Sequence, residues 1–341
     1  MNRFDEYYVI RHAHLDDTEL IMNFIRDEWP KKNHILSVNK DYFLYEFQNG
    51  ELINFVIAIN KSSNAIDGIM GYNPASNMAQ TLDIWTCMWL TRRKGAMPLL
   101  GLEILTRMKN IVGYRHLTGI GVNTQSSLPI ARDKANHHIF TMKHYYRLSD
   151  CTSYKVAKIE KKIVPTKPVS VSHYSLKSVK TISELSEASK KSAECSIPLK
   201  NEWYINKRYF CHPVYRYCVW EIVASKSNGI LVGREIDVDG TKILRIVDFI
   251  GIEDLIGGLY DEFQILAVEN GYEYIDFYIH GVEDIHLINS GFTLRTKCDP
   301  NVIPNYFEPF LQENVEIYCT SDSACVRICK ADADQDRPNF I

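Results

Sequence analysis

Two aspartates sit where a charge is costly. Asp83 falls inside the apolar run LDIWTCMWL and Asp248 inside LRIVDFIG, so each must face water, satisfy a structural hydrogen bond or handle a proton. A basic stretch, Arg92-Arg93-Lys94-Gly95-Ala96-Met97, leads from the first run into a helical pattern that contains Gly101. Backbone N–H groups at such a strand-to-helix turn can hold an anion; a charged surface loop is the plain alternative. Third, RYFCHPVYRYCVW (208–220) gathers Tyr209, Phe210, Tyr215, Tyr217 and Trp220 around His212. The cluster could stack a nucleotide base, although a core or a domain interface fits it better.

Other polar groups promise less. His137-His138 reads as a solvated helix face, and Cys87, with no activating histidine nearby, as packing. Asp332, Asp334 and Asp336 imitate the start of a calcium loop but lack its later glycine and glutamate, so no metal site is expected. Nine cysteines without a CxxC pair suggest reduced thiols in a cytoplasm. The formal net charge is −3, and no Lys/Arg block exceeds Arg92-Arg93-Lys94, which argues against a general nucleic-acid binder. No run approaches the roughly 20 apolar residues that span a bilayer, and the charged N-terminus lacks a signal core; a cytoplasmic protein is expected. Composition leaves the oligomeric state open.

These groups need elements to position them. At 341 residues, two domains are expected. Residues 6–13 read as a strand; Asp16 or Asp17 then caps a helix whose apolar face is Leu20, Ile21, Phe24 and Ile25. A hairpin (52–59 and 65–73), a long strand (81–91), a helix (99–112), a strand (117–123), a helical stretch and a closing strand (140–149) follow. The second half repeats the plan: helix 182–194, hairpin 218–226 and 229–237, long strand 241–251, helix 254–271, strand 272–279 and a last helix within 281–292.

That order resembles the GNAT-type acetyltransferase domain, twice over. The expectation is therefore an α/β fold with mixed sheets in two tandem GNAT-like domains, residues 1–157 and 176–341, joined by a Lys/Pro-rich linker at 158–175. A GNAT domain holds the pyrophosphate of coenzyme A between its fourth strand and the next helix. The first-domain loop keeps part of that pattern but has Met97 where a small residue belongs. The second domain has Glu253 and Asp254 there, the wrong charge for a diphosphate, so acyl-CoA is expected on the first.

LRIVDFIG (244–251), EYIDFY (273–278), IPNYFEPF (303–310) and KADADQDRPN (330–339), with DIWTCMWL and KHYYRL in the first half, resemble bacterial sugar-nucleotide N-acyltransferases of the tandem-GNAT, nonribosomal-peptidyltransferase type, such as act in anthrose biosynthesis. The resemblance implies transfer of an acyl chain of 3-hydroxybutyryl type from acyl-CoA, a co-substrate rather than a bound cofactor, to the amine of a dTDP-linked 4-amino-4,6-dideoxysugar, in an active site between the domains. It implies Asp83, Asp248 and Glu308 as catalytic candidates and a backbone N–H near Cys87–Leu90 for the oxyanion. Acyl-CoA would be held by Trp89, Arg92, Arg93, Lys94, Gly95, Ala96 and Gly101, and the sugar nucleotide by Trp85, His212, Asn305, Tyr306, Asp334 and Arg337. The tail at 332–341 becomes an ordered closing segment. A tRNA-dependent peptidyltransferase of the same fold, or a non-catalytic nucleotide-sugar-binding module, are the alternatives.

Overall fold

Alternation along LINFVIAI sets the first sheet. In the computed structural model, which describes residues 2–168, 173–192, 196–225 and 227–339, Phe55 and Ile57 enter one buried cluster while Val56 and Ala58 enter another. A strand buried on both faces needs helices on both. The chain divides into two compact units. One comprises Met1–Ile139, Tyr318–Ala324 and Arg337–Ile341, and the other Phe140–Ile317 and Cys325–Asp336.

The first unit contains α1 (Arg3–Tyr7), β1 (Tyr8–His14), α2 (Thr18–Glu28), α3 (Ile35–Val38), α4 (Lys40–Phe47), β2 (Gln48–Asn49), β3 (Leu52–Asn60), β4 (Ile66–Pro74), β5 (Asp83–Thr91), α5 (Leu100–Val112), β6 (His116–Ile120), α6 (Ser127–Asp133) and β7 (His138–Thr141). The sheet runs β1-β3-β4-β5-β6, then Tyr318–Ser321, then β7, with β2 on β3. Its β5–β6 pair is parallel. Helices α2 to α4 cover one face through Ile21, Phe24, Ile25, Phe43 and Phe47. Helix α5 covers the other through Leu100, Ile104, Leu105 and Met108, the i, i+4, i+5, i+8 stripe of a helix. Leu20, expected in the apolar face of α2, is 49% exposed, and Met22 is buried instead. The short helices α3 and α4 have no counterpart in the sequence reading.

The second unit contains β8 (Lys143–Leu148), β9 (Ser175–Val179), α7 (Glu187–Ser192), α8 (Glu202–Ile205), β10 (Cys218–Val223), β11 (Asn228–Val238), β12 (Thr241–Ile250), α9 (Asp254–Gly257), α10 (Tyr260–Asn270), β13 (Tyr274–His280), α11 (Asp284–Asn289), β14 (Thr293–Leu294), β15 (Tyr306–Phe307) and β16 (Phe310–Leu311). Tyr318–Ser321 is β17, in the first sheet, and Ile328–Cys329 is β18. The second sheet runs β14-β8-β13-β12-β11-β10-β9, with β18 also on β13. Again one pair, β12–β13, is parallel. Ile275, Phe277 and Ile279 join the core under α9 to α11. Tyr274, Asp276 and Tyr278 therefore lie on the opposite face.

Two expectations change. The strand expected to close the first domain, 140–149, instead contributes β8, which pairs with β13 in the second sheet. Its place in the first sheet is taken by β17, which pairs with β6. Strand sequence specifies faces, and KHYYRL suits either sheet: Tyr145 enters one buried cluster and Tyr146 another. The helix expected over 254–271 is interrupted between α9 and α10, where a Cβ on Gly258 would lie 2.2 Å from the Tyr174 ring. Residues 193–194 of another expected helix and 169–172 of the linker lie outside the described residues.

Candidate active site

In the first unit β5 carries one residue too many. Ile69 faces Leu90 and Gly71 faces Cys87, so two steps of β4 oppose three of β5. The surplus falls at Met88, whose φ is 49°, a bulge in the stretch where an oxyanion donor is expected. On the other edge β5 pairs with β6 only from Asp83–His116 to Thr86–Gly119. Beyond Thr86 the two parallel strands separate, and among the described residues no strand is hydrogen-bonded between them.

The C-terminal segment reaches this bulge. Arg337 Nη2 lies 2.8 Å from His34 Nε2, and both terminal guanidinium nitrogens lie 3.8 Å from Met88 Sδ. The Ile35 N–H donates to Asn339 O at 3.2 Å. Burial, then the Arg337 charge, push the His34 imidazole down to about 3. Nothing in the sequence singled out His34.

The loop from β5 to α5 is engaged by side chains and carbonyls of its own unit. Arg92 donates to Asp67 at 2.7 Å and to Ile66 O at 2.6 Å, and lies over the Phe24 ring. Arg93 donates its backbone N–H to Glu28 Oε2 at 3.1 Å and its guanidinium to Glu28 O at 2.8 Å. A carboxylate of the chain thus occupies one donor of the loop. Lys94 is exposed, and Gly95, at φ 95°, has open space where a Cβ would be. Ala96 and Met97 pack against the buried cluster under α5. Gly101 serves packing: Trp89 Nε1 donates to its carbonyl at 3.2 Å, and a Cβ there would stand 3.0 Å from that nitrogen.

Two first-unit candidates are fully buried. Asp83, fully buried, takes a bidentate ion pair from Arg115 at 2.8 and 2.6 Å. It begins β5, five residues or roughly 16 Å of strand from Met88. Trp85 is fully buried and has no surface to offer a ligand.

In the second unit Asp248 is also engaged. Lys200 Nζ lies 2.6 Å from its Oδ1, and Tyr209 donates to its Oδ2 at 2.5 Å. The same Nζ lies 2.6 Å from Asp332 Oδ1. Two anions hold the buried ammonium well above its ordinary range, whereas burial lifts the Asp332 carboxyl to about 6. Here β12 and β13 pair only from Leu244–Ile275 to Ile246–Phe277, and the tail fills the gap beyond. Cys329 pairs with Ile279 on β13, and the Ala331 N–H donates to Val247 O on β12 at 2.8 Å.

The polar face of this sheet carries groups the sequence reading missed. Arg245 forks onto Asp276, with its shortest contact at 2.6 Å, and donates to the carbonyls of Pro304 and Asn305. His144 Nε2 meets Asp276 at 3.0 Å while Nδ1 accepts from Arg295 at 3.2 Å, the pattern of a neutral imidazole. Burial lowers it to about 4. The available signal was opposite charges inside the adjacent apolar strands LRIVDF and YIDFY.

Next to it, His212 stacks on Tyr215 at 5.4 Å, and its Nδ1 accepts the N–H groups of Val214 and Tyr215. Burial takes this imidazole down to about 3. Tyr215 donates to Glu308 at 3.3 Å and supports the Arg234 guanidinium 4.1 Å from its ring. Arg234 in turn pairs with Asp336 at 2.7 Å. Glu308 and His212 are therefore joined through Tyr215. Asn305 reaches this face by way of Arg245, and Tyr306 is 42% exposed on the β15–β16 hairpin. Asp334 accepts from Gln335, and Arg337 meets His34.

Solved structures share this architecture. A GCN5-related N-acetyltransferase from Anabaena variabilis matches with a TM-score of 0.52 at 8% identity, over 92% of this chain and 72% of that one. A conserved Enterococcus faecalis protein of unknown function, described as a probable N-acyltransferase, matches with a TM-score of 0.55 at 8% identity, over 92% and 71%. The chain has the GCN5-related N-acetyltransferase fold. No family profile and no curated protein matches the sequence, so the likeness is one of fold. In GNAT order the bulged β5, its loop and α5 are the fourth strand, the turn and the following helix. Among the described residues no group of His, Cys, Asp and Glu could hold a metal ion, and no helix is long and apolar enough to cross a membrane.

Proposed function

We propose that the chain is an acyl-CoA-dependent N-acyltransferase whose first unit holds the acyl donor. The observation that carries this reading is the bulge at Met88 beside the open separation of β5 and β6. A bulge turns a backbone N–H out of the ladder, and a thioester carbonyl there gains a donor as its oxygen becomes negative. The equivalent gap of the second unit is filled by Cys329–Ala331, which supports assigning the donor to the first. The N-terminus of α5, where the Leu100 N–H is taken by Met97 O, offers the coenzyme A diphosphate its next N–H groups and a favourable dipole.

The acceptor is an amine, and on the sequence resemblance it is the amino group of a dTDP-linked 4-amino-4,6-dideoxysugar, taking a 3-hydroxybutyryl-type chain. The amine attacks directly. Of the three carboxylate candidates, Asp83 is ion-paired with Arg115 and Asp248 with Lys200, whereas Glu308 is exposed and hydrogen-bonded to Tyr215. Incubation with acyl-CoA and dTDP-amino sugars should release free thiol that depends on both substrates; a panel that releases none overturns the reading.

One observation favours a non-catalytic module instead: Glu28 accepts the Arg93 N–H and lies against both Arg92 and Arg93, so an internal anion competes for the loop. Calorimetry with coenzyme A separates the two, because a module that has lost this site gives no heat.

A further inference from the structure

The second unit buries two lysines to the same degree and treats them oppositely. Lys200 and Lys330 are each 3% exposed. Lys200 has two carboxylates at 2.6 Å. Lys330 Nζ has no hydrogen-bond acceptor among the described residues, and its contact is the Tyr278 ring at 5.6 Å. The charges acting on it are Arg245 from β12, Arg234 from β11, Asp276 from β13 and Asp336 from its own segment. Asp276 is forked by Arg245 and Asp336 by Arg234. Three cations, Lys330 included, thus stand with two carboxylates.

A buried ammonium without a counter-ion is costly, and burial followed by the Arg245 charge lowers Lys330 to about 7. A second donor is also unspent. Arg234 gives Nε and Nη2 to Asp336, while Nη1 has no acceptor among the described residues. Its guanidinium lies on the Tyr215 ring, beside the His212 and Tyr217 rings.

We propose that Lys330 and Arg234 form a subsite for a phosphate group of a ligand, completing the charge balance on this face. A stacked guanidinium and a point-charge ammonium suit a multi-oxygen anion, and the neighbouring rings suit the base of a nucleotide. The subsite rests on Lys330, which has no carboxylate of its own, and on the unspent Nη1 of Arg234; it deepens the acyl-transfer reading if the group is the diphosphate of the nucleotide acceptor.

Calorimetry of the full chain at pH 7 with pyrophosphate, dTDP and coenzyme A, in two buffers of different ionisation enthalpy, tests it. Pyrophosphate and dTDP should bind with more proton uptake than they show with Lys330→Arg, as Lys330 becomes fully charged. Lys330→Met should lose at least tenfold in affinity together with that excess uptake, and Lys330→Arg should bind without the excess. Met fills the space without a charge, so Lys330→Met should melt at or above the wild-type temperature. Should it not fold, Lys330→Arg decides, and uptake unchanged in that variant overturns the proposal. Binding of coenzyme A alone, with uptake lowered in Lys330→Arg, supports a phosphate subsite and reassigns its source. Wild-type failure to bind any of the three, or unchanged affinity in Lys330→Met, overturns it. Neither result depends on thiol release.

Discussion

Lys200 and Asp332 meet at 2.6 Å, with Asp332 fully buried. Asp332 also accepts the Cys329 N–H through Oδ2 at 2.8 Å, so each of its carboxylate oxygens has a partner of its own. Removing one member of such a group strands the others. Lys200→Met should destabilise the fold by about 3–5 kcal/mol, read by urea unfolding; an unchanged midpoint would show that the carboxylates find other partners.

Asp83→Asn tests a carboxylate of the other unit. It breaks one charge-assisted fork with Arg115 and should cost about 1–3 kcal/mol of stability. Turnover per folded molecule should stay within about twofold of wild type, against the more than tenfold loss of a proton-handling group. A large fall in turnover at unchanged melting temperature would return Asp83 to the chemistry.

Glu28→Gln removes the anion that sits in the β5–α5 loop. If coenzyme A phosphates use that loop, affinity should rise several-fold, since a unit charge near a second one is worth on the order of 1 kcal/mol at a solvated surface. Titration calorimetry reads this directly, and weaker binding would make Glu28 a support of the loop rather than a rival for it.

Acid should unfold the protein early. His34, His212 and His144 are held neutral, at about 3, about 3 and about 4. A depressed histidine stabilises above the unfolded value near 6.5, and that stability is lost as pH falls towards the folded value. Asp332, raised to about 6, has the opposite sign: it favours the fold at low pH and loses that contribution as pH rises through about 6. Three groups outweigh one, so stability should drop by several kcal/mol between pH 6.5 and 4. Urea midpoints across that range measure it. His212→Gln should flatten the slope, and a profile flat from the start would contradict the buried neutral histidines.

Deleting residues 332–341 removes Asp332 and Asp336, both buried, which takes one of two carboxylates from Lys200 and the ion-pair partner from Arg234. The truncated chain should fail to fold or melt at least about 10 °C lower; a fully stable, fully active truncation would make the segment dispensable.

The sequence carried the element order because hydrophobic periods of 2 and 3.6 are local properties. The hairpin at 52–73, the strand at 241–250 and helix α5 emerge within a residue or two. It did not carry partnership. KHYYRL alternates correctly for either sheet, and only the assembled fold selects β13 as its neighbour. The site divides the same way. The bulge falls within Cys87–Leu90 because the strand-to-helix turn is legible, whereas Asp83 and Asp248 look alike in sequence as proton handlers and as ion-pair members. Their partners Arg115 and Lys200 lie 32 and 48 residues away, beyond any local pattern. His34, Arg245 and Lys330 were missed for the same reason.

The placement of β17 has a consequence for biosynthesis. The first sheet needs Tyr318–Ser321 beside β6, which ends at Ile120. At about 5–20 residues per second, a ribosome spends roughly 10–40 s between making these two strands. Through that interval β6 has an unpaired edge, and for part of it β8 has been made while β13 has not. A nascent chain with bare strand edges is a substrate for chaperones and a seed for aggregation, so expression as two separate halves should give two insoluble fragments, each lacking a strand that the other carries.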